Sequence, residues 1–171
     1  PRARSALSDA GDRALSLSSF AAAGGFYSAA LELTADGDRE RPLLLFRLGE
    51  ARFNNDEPSE DILVQAIGGL LETGNLEAAA EAEVILSHVA WSRGLRDEAF
   101  EHLERATTIV DDLPPSRAKV RVLSQRTRHF MLVTGDRGLR AVIRLTRGDL
   151  EGALEDTERA LELARQSDDP H

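Results

Sequence analysis

Apolar residues recur every three or four positions along nearly the whole chain, and no stretch alternates with the period of two that a strand requires. Gly, Pro and Asn punctuate this pattern. It predicts helices over 4–23 and 25–35, then a third that Pro42 opens and that runs to about Asn54. Asn54-Asn55-Asp56 make a turn, and Pro58 sits where a first helical turn tolerates it, ahead of a helix over 58–72. Thr73-Gly74-Asn75 break that helix, with Asn75 placed as the N-cap of the next. A long pair follows over 76–93 and 95–112. Pro114-Pro115 stop the chain, and Ser116 caps a helix to about Val133, which Thr134-Gly135-Asp136 end. Helices over 139–147 and 149–166 form the last pair.

One phrase occurs three times on this background: Gly, then Ala five residues on. It begins at Gly24 (Ala29), at Gly94 (Ala99) and at Gly148 (Ala153). Leu33 and Leu103 follow nine residues after the Gly, and Ala106 and Ala160 twelve after. Gly24 and Gly94 stand 70 residues apart, about two units of a 34-residue repeat. The phrase has a direct physical meaning. Gly accepts the left-handed conformation that ends a helix, and the Ala keeps two antiparallel helices close where they cross.

Composition narrows the class. The 171 residues suffice for one domain of about four to five helix pairs. With no Cys there is no disulfide and no thiol-based metal or redox site, which fits a reducing, cytoplasmic setting. A net charge of -9 disfavours nucleic acid and anionic membrane as partners. No apolar run has the length of a membrane span, and no signal-peptide pattern opens the chain. The first residue is Pro1 and not Met, which implies processing or a piece of something longer.

The chain resembles the tetratricopeptide repeat family. Its unit is a helix pair with Gly at the turn, small residues at the close contacts and often Pro after the second helix. Leu48-Gly49 matches the Leu-Gly pair of a first helix, and Pro42 and Pro114 fall near unit ends. The aromatic expected four residues before the turn is present once, at Phe20, with Ala90, Met131 and Arg144 in the later units, and Asp56 stands in the second unit's Gly slot. The resemblance implies an all-α fold, a right-handed superhelix of antiparallel helix pairs (an α-solenoid). The expected domain is 1–171, with units at about 4–36, 42–72, 76–112, an incomplete 116–134, and 138–167. More distantly, stretches such as Arg47-Leu48-Gly49-Glu50-Ala51-Arg52 and Asp97-Glu98-Ala99-Phe100 look like the repeat tails of large bacterial signalling proteins. Those carry an NTPase module, often with a nucleotide-cyclase or DNA-binding module, ahead of the tail.

The incomplete unit has a specific cause. Gly135 and Gly148 are separated by 13 residues, too few for both a return helix and a new outgoing one. The expectation is that a half-repeat is missing, that one short helix replaces both, or that the helix near 116–134 pairs with something else, such as a second copy.

Motifs for chemistry are lacking. There is no phosphate-cradling Gly-x4-Gly-Lys loop, no His-Glu-x2-His and no Gly-x-Ser-x-Gly, so no catalytic residue and no cofactor is expected. His88 and His129 each lie six residues before a turn Gly, which would place them on one face, but two ligands do not make a metal site.

A groove is the better candidate. First-helix residues ten, six and three before each turn form one stripe, which in the resembling family faces the concave surface. It reads Ala14, Ser18, Ala21, then Phe46, Glu50, Phe53, then Val84, His88, Trp91, then Gln125, His129, Leu132. The last nine are the expected partner-binding residues, with the single Trp at the centre. The competing expectation buries Phe46, Phe53 and Trp91 against one another as core. The expected function is therefore a non-catalytic scaffold binding a protein or peptide. The alternatives are a regulatory tail of a signalling NTPase, cyclase or transcriptional regulator, and a small-molecule sensor with a closed apolar pocket.

Overall fold

The structure, a computed structural model, describes residues 2–134 and residue 152. Within that range the chain is all helical: α1 (Arg2–Ser16), α2 (Phe20–Glu32), α3 (Arg41–Asn54), α4 (Glu60–Glu72), α5 (Leu76–Ser92), α6 (Arg96–Val110) and α7 (Arg117–Thr134). No strand occurs among the described residues. Two compact units divide the chain, 1–122 and 123–171, and α7 crosses the boundary.

The first unit is built by sequential packing. Each of α1 to α5 packs against the next, and α3 also touches α5. Its apolar core lies in three clusters, each made by one helix pair and the helix that follows. Ala14, Ala23, Tyr27, Ala30, Leu44 and Leu48 join α1, α2 and α3. Phe46, Leu63, Ala66, Leu70, Ala82 and Ile85 join α3, α4 and α5. Val84, Leu103, Ala106, Val110 and Val122 join α5, α6 and α7.

One turn geometry ends four of the helices. Ser18, Asp56, Gly74 and Gly94 take left-handed conformations, with φ of 57°, 56°, 77° and 80°. The next residue in each case donates its N–H five residues back: Ser19 to Ala14, Glu57 to Arg52, Asn75 to Leu70 and Leu95 to Ala90, at 2.8–3.0 Å. This six-to-one bond satisfies a carbonyl that the helix end leaves without a partner.

The first turn differs from the expected one. Gly24 and Gly25 lie inside α2, and the chain turns at Ser18 instead. A helical glycine costs only about 1 kcal/mol, and burial of Ala23, Tyr27 and Ala30, each 0% exposed, holds α2 through the pair. The Gly24 phrase is thus not a turn. Ser18, Asp56 and Gly94 stand at equal intervals of 38 residues. Ala23 and Ala99 each follow their turn residue by five, and both are fully buried. The Gly148 phrase, the Gly135–Gly148 interval and the unit at 138–167 lie outside the described residues, apart from Gly152, which is helical.

Seven residues before each of these turns the first helices carry Gly11, Gly49 and Ser87. A methyl group at Gly11 would stand 2.5 Å from the Tyr27 ring, and one at Gly49 would stand 2.6 Å from Leu63. These are the close crossings within the first two pairs. In the third, Ser87 is 0% exposed and its hydroxyl has no hydrogen-bond partner. Ser87→Ala removes that buried unsatisfied group, and an unfolding titration should show a gain of about 1 kcal/mol.

At the N-termini, Ser116 caps α7 as expected, accepting the Lys119 N–H at 3.3 Å. Asn75 occupies the N-cap position of α5, but its side chain donates to the Thr73 hydroxyl at 2.9 Å instead of accepting from the helix. Among the described residues no helix is long and apolar enough to cross a membrane.

Candidate functional groove

A cavity of about 940 Å³ in the first unit is lined mainly by the odd-numbered helices, with Phe20 at the start of α2 and the turn at Gly74-Asn75. It touches the last turn of α1, the first residue of α2, α3 from Leu43 to Asn54, the turn ahead of α5 and the first turns of α5 and α7. Its apolar lining comes from Leu15, Phe20, Leu43, Phe46 and Leu76, and its charged lining from Asp12, Arg47, Glu50, Glu77, Glu81, Arg117 and Arg121.

Five of these charges alternate in sign across four helices. Arg47 Nε lies 3.9 Å from Asp12, and Arg47 Nη1 lies 3.2 Å from Glu50. Arg121 Nη1 lies 3.7 Å from the other Glu50 oxygen and 3.1 Å from Glu81. The Tyr27 hydroxyl donates to Asp12 at 2.7 Å, and burial, reinforced by that bond, pushes the phenol pKa well above its ordinary value. Glu50 and Glu81 are the covered members, with side chains 11% and 20% exposed, whereas Arg47 and Arg121 are 38% and 42% exposed. Asp12, at 55%, is the most exposed member of the network, and Glu77 in the same lining is exposed as well, so carboxylates and guanidiniums both face the space.

Desolvation holds the Glu81 carboxyl pKa above its usual 4.5, Arg121 opposing the shift and Glu50 adding to it. A raised folded-state pKa means that the fold binds the proton more tightly than the unfolded chain does. The charged form is therefore a penalty at neutral pH, relieved as pH falls through the folded pKa. Glu81→Gln should melt higher than the parent at pH 7, and the gap should close on acidification below about pH 4.5. Melting curves across pH test this, and a gap independent of pH contradicts it.

The nine stripe residues are distributed as follows. Phe46, 2% exposed, and Glu50, 9% exposed, line the cavity. Phe53 and His88 are half-buried and meet edge to face, ring centroids 5.6 Å apart. Trp91 is half-buried, with the Phe100 ring edge-on at 6.2 Å and the Arg96 guanidinium 5.4 Å over its face. Val84 is buried in the cluster that joins α5 to α6. Phe53, Val84, His88 and Trp91 are not part of the cavity lining. Gln125, His129 and Leu132 belong to the second unit, where His129 is buried and its Nδ1 lies 3.2 Å from the Gln125 carbonyl oxygen.

Of the lining, the stripe supplies Phe46 and Glu50; among the charged residues it omits are Asp12, Arg47, Glu77, Glu81, Arg117 and Arg121. A fixed count back from each turn assumes that the first helices lie in register. The cavity instead meets α1 near its C-terminus and α5 and α7 near their N-termini. The opposite charges of Arg47 and Glu50, three apart around Gly49, were the sequence signal for it.

A second polar cluster lies between α5 and α6. Glu83 and His102, 5% and 8% exposed, pair through Oε2 and Nδ1 at 2.6 Å, and Arg105 Nε lies 3.3 Å from the other Glu83 oxygen. It contains no Ser, Thr or Lys within this bonded set to act as a nucleophile. No group of three His, Asp or Glu among the described residues could hold a metal ion. No family model matches the chain, and no curated protein or solved structure matches it.

Proposed function

We propose that the chain is a tetratricopeptide-like helical-repeat module that binds a segment of a partner protein in the cavity of its odd-numbered helices, with no catalysis of its own. In this reading the helix pairs continue as an α-solenoid whose concave side is that cavity. The observation that carries it is the cavity itself. Apolar side chains and half-exposed guanidiniums from four helices converge on one space large enough for several side chains of a peptide. Turns 38 residues apart and core clusters shared between neighbouring pairs support the repeat.

The test uses random twelve-residue peptides displayed on phage and panned against the chain. Ser16 is exposed and lines the cavity, so Ser16→Trp fills it from the edge with little effect on folding. Gln65→Trp, on the exposed face of α4, is the control. Enriched peptides should lose binding to Ser16→Trp and keep it with Gln65→Trp. Peptides indifferent to Ser16→Trp would remove the cavity as the site.

A further inference from the structure

Charge is segregated along this chain. Residues 57–112 hold thirteen Asp and Glu against three Arg, more than the whole net charge of -9. Residues 113–147 hold nine Arg and Lys against one acid, Asp136. The described part of that basic block is α7, which contains five of the cations and no carboxylate. In its first turns Val120, 62% exposed, shares a helical face with Arg117 and Arg121, both exposed. Glu50 and Glu81 offset part of the charge there, Glu81 through both arginines, but the helix has no acid of its own. The acidic block has a matching feature. A groove of about 480 Å³ lies between α4 and α6, with Leu71, 43% exposed, and the half-buried Ile109 in its lining. Three carboxylates line it, Glu83, Glu101 and Glu104, against one cation, Arg105, which Glu83 and Glu101 already face. Glu101 and Glu104 are exposed, as is Glu72 beside Leu71.

We propose that the groove between α4 and α6 docks a second copy of this chain, whose α7 sets Val120 against Leu71 and Ile109, and Arg117 and Arg121 against Glu72, Glu101 and Glu104. The second copy is the occupant because it carries the complement: an exposed apolar side chain between cations, on a helix that fits a groove of this kind. Val120 does not line the groove of its own chain, and the fully buried Val122 holds α7 where it is, so the fit is between copies. The net charge of -9 does not prevent the approach. Charges beyond about 8 Å are screened at physiological salt, while opposite charges inside that distance attract. The two surfaces consist of different residues, so the contact is head to tail and every copy keeps one groove and one α7 to offer.

Sedimentation of the full chain at rising concentration tests this. One helix in a short groove belongs with interfaces under about 1,200 Å², which are weak, so the average mass should climb above one chain only at high concentration and fall back as salt is added. Val120→Asp, which spoils α7, and Glu101→Lys with Glu104→Lys, which spoils the groove, should each stay monomeric. All three positions are exposed, so the melting temperatures should match the parent. An equimolar mixture of the two variants should regain association and stop at two chains, since each supplies the surface that the other lacks. A parent that stays monomeric up to about 1 mM would overturn the inference. So would association that survives either variant, or a mixture that stays monomeric. None of these outcomes bears on the cavity of the odd-numbered helices, which the Ser16→Trp panning tests separately.

Discussion

Gly11→Ala is expected to destabilise the protein, and the same substitution in a Tyr27→Ala background to stabilise it. The new Cβ would lie 2.5–2.8 Å from three atoms of the Tyr27 ring. That ring cannot retreat, since Tyr27 is 0% exposed and its hydroxyl is tied to Asp12. Overpacking of this kind costs roughly 1–3 kcal/mol. Tyr27→Ala alone removes a fully buried aromatic and should cost about 3–5 kcal/mol. With the ring gone, Gly11 is an ordinary helical glycine, and Ala there should gain about 0.5–1 kcal/mol. Urea unfolding of the parent, both single variants and the double variant gives the cycle. A Gly11→Ala effect of the same sign in both backgrounds would mean that α1 and α2 do not cross so closely.

Loss of the Glu83 carboxylate should be nearly as severe. Glu83 joins α5 to α6 from a position 5% exposed, and its oxygens face His102 and Arg105. Glu83→Ala leaves the buried imidazole facing a void where its acceptor stood. Breaking a buried pair from one side costs about 3 kcal/mol. Glu101 also pairs with Arg105, at 3.7 Å, but its side chain is 66% exposed. Glu101→Ala should change stability by less than about 0.5 kcal/mol. Equal effects of the two variants in thermal or urea unfolding would contradict the buried pairing.

The helices were legible where punctuation and periodicity agreed. Pro42, Gly74, Gly94 and Ser116 mark real boundaries because each residue type has one physical use there: a fixed φ, a left-handed turn or a hydroxyl acceptor. Gly24-Gly25 misled because glycine permits a turn without requiring one, and the burial around Tyr27 decides otherwise. Asn54-Asn55-Asp56 marked the second turn, but Ser18 carries no strong turn signal, so the equal 38-residue intervals emerge only once its left-handed conformation replaces Gly24 as the first turn. The groove was half legible. Phe46 and Glu50 follow from the count back from Asp56, which is a true turn. Arg117, Arg121 and Glu81 do not, because the offset between successive first helices is a tertiary property with no local sequence signal.

Hydrogen exchange on the full chain, with and without a peptide obtained by panning, tests the groove most directly. Protection should rise in the last turn of α1, the middle of α3 and the first turns of α5 and α7, and stay unchanged on the exposed face of α4 and α6. Protection confined to α4 and α6, with α3 unaffected, would contradict a partner site in the cavity of the odd-numbered helices.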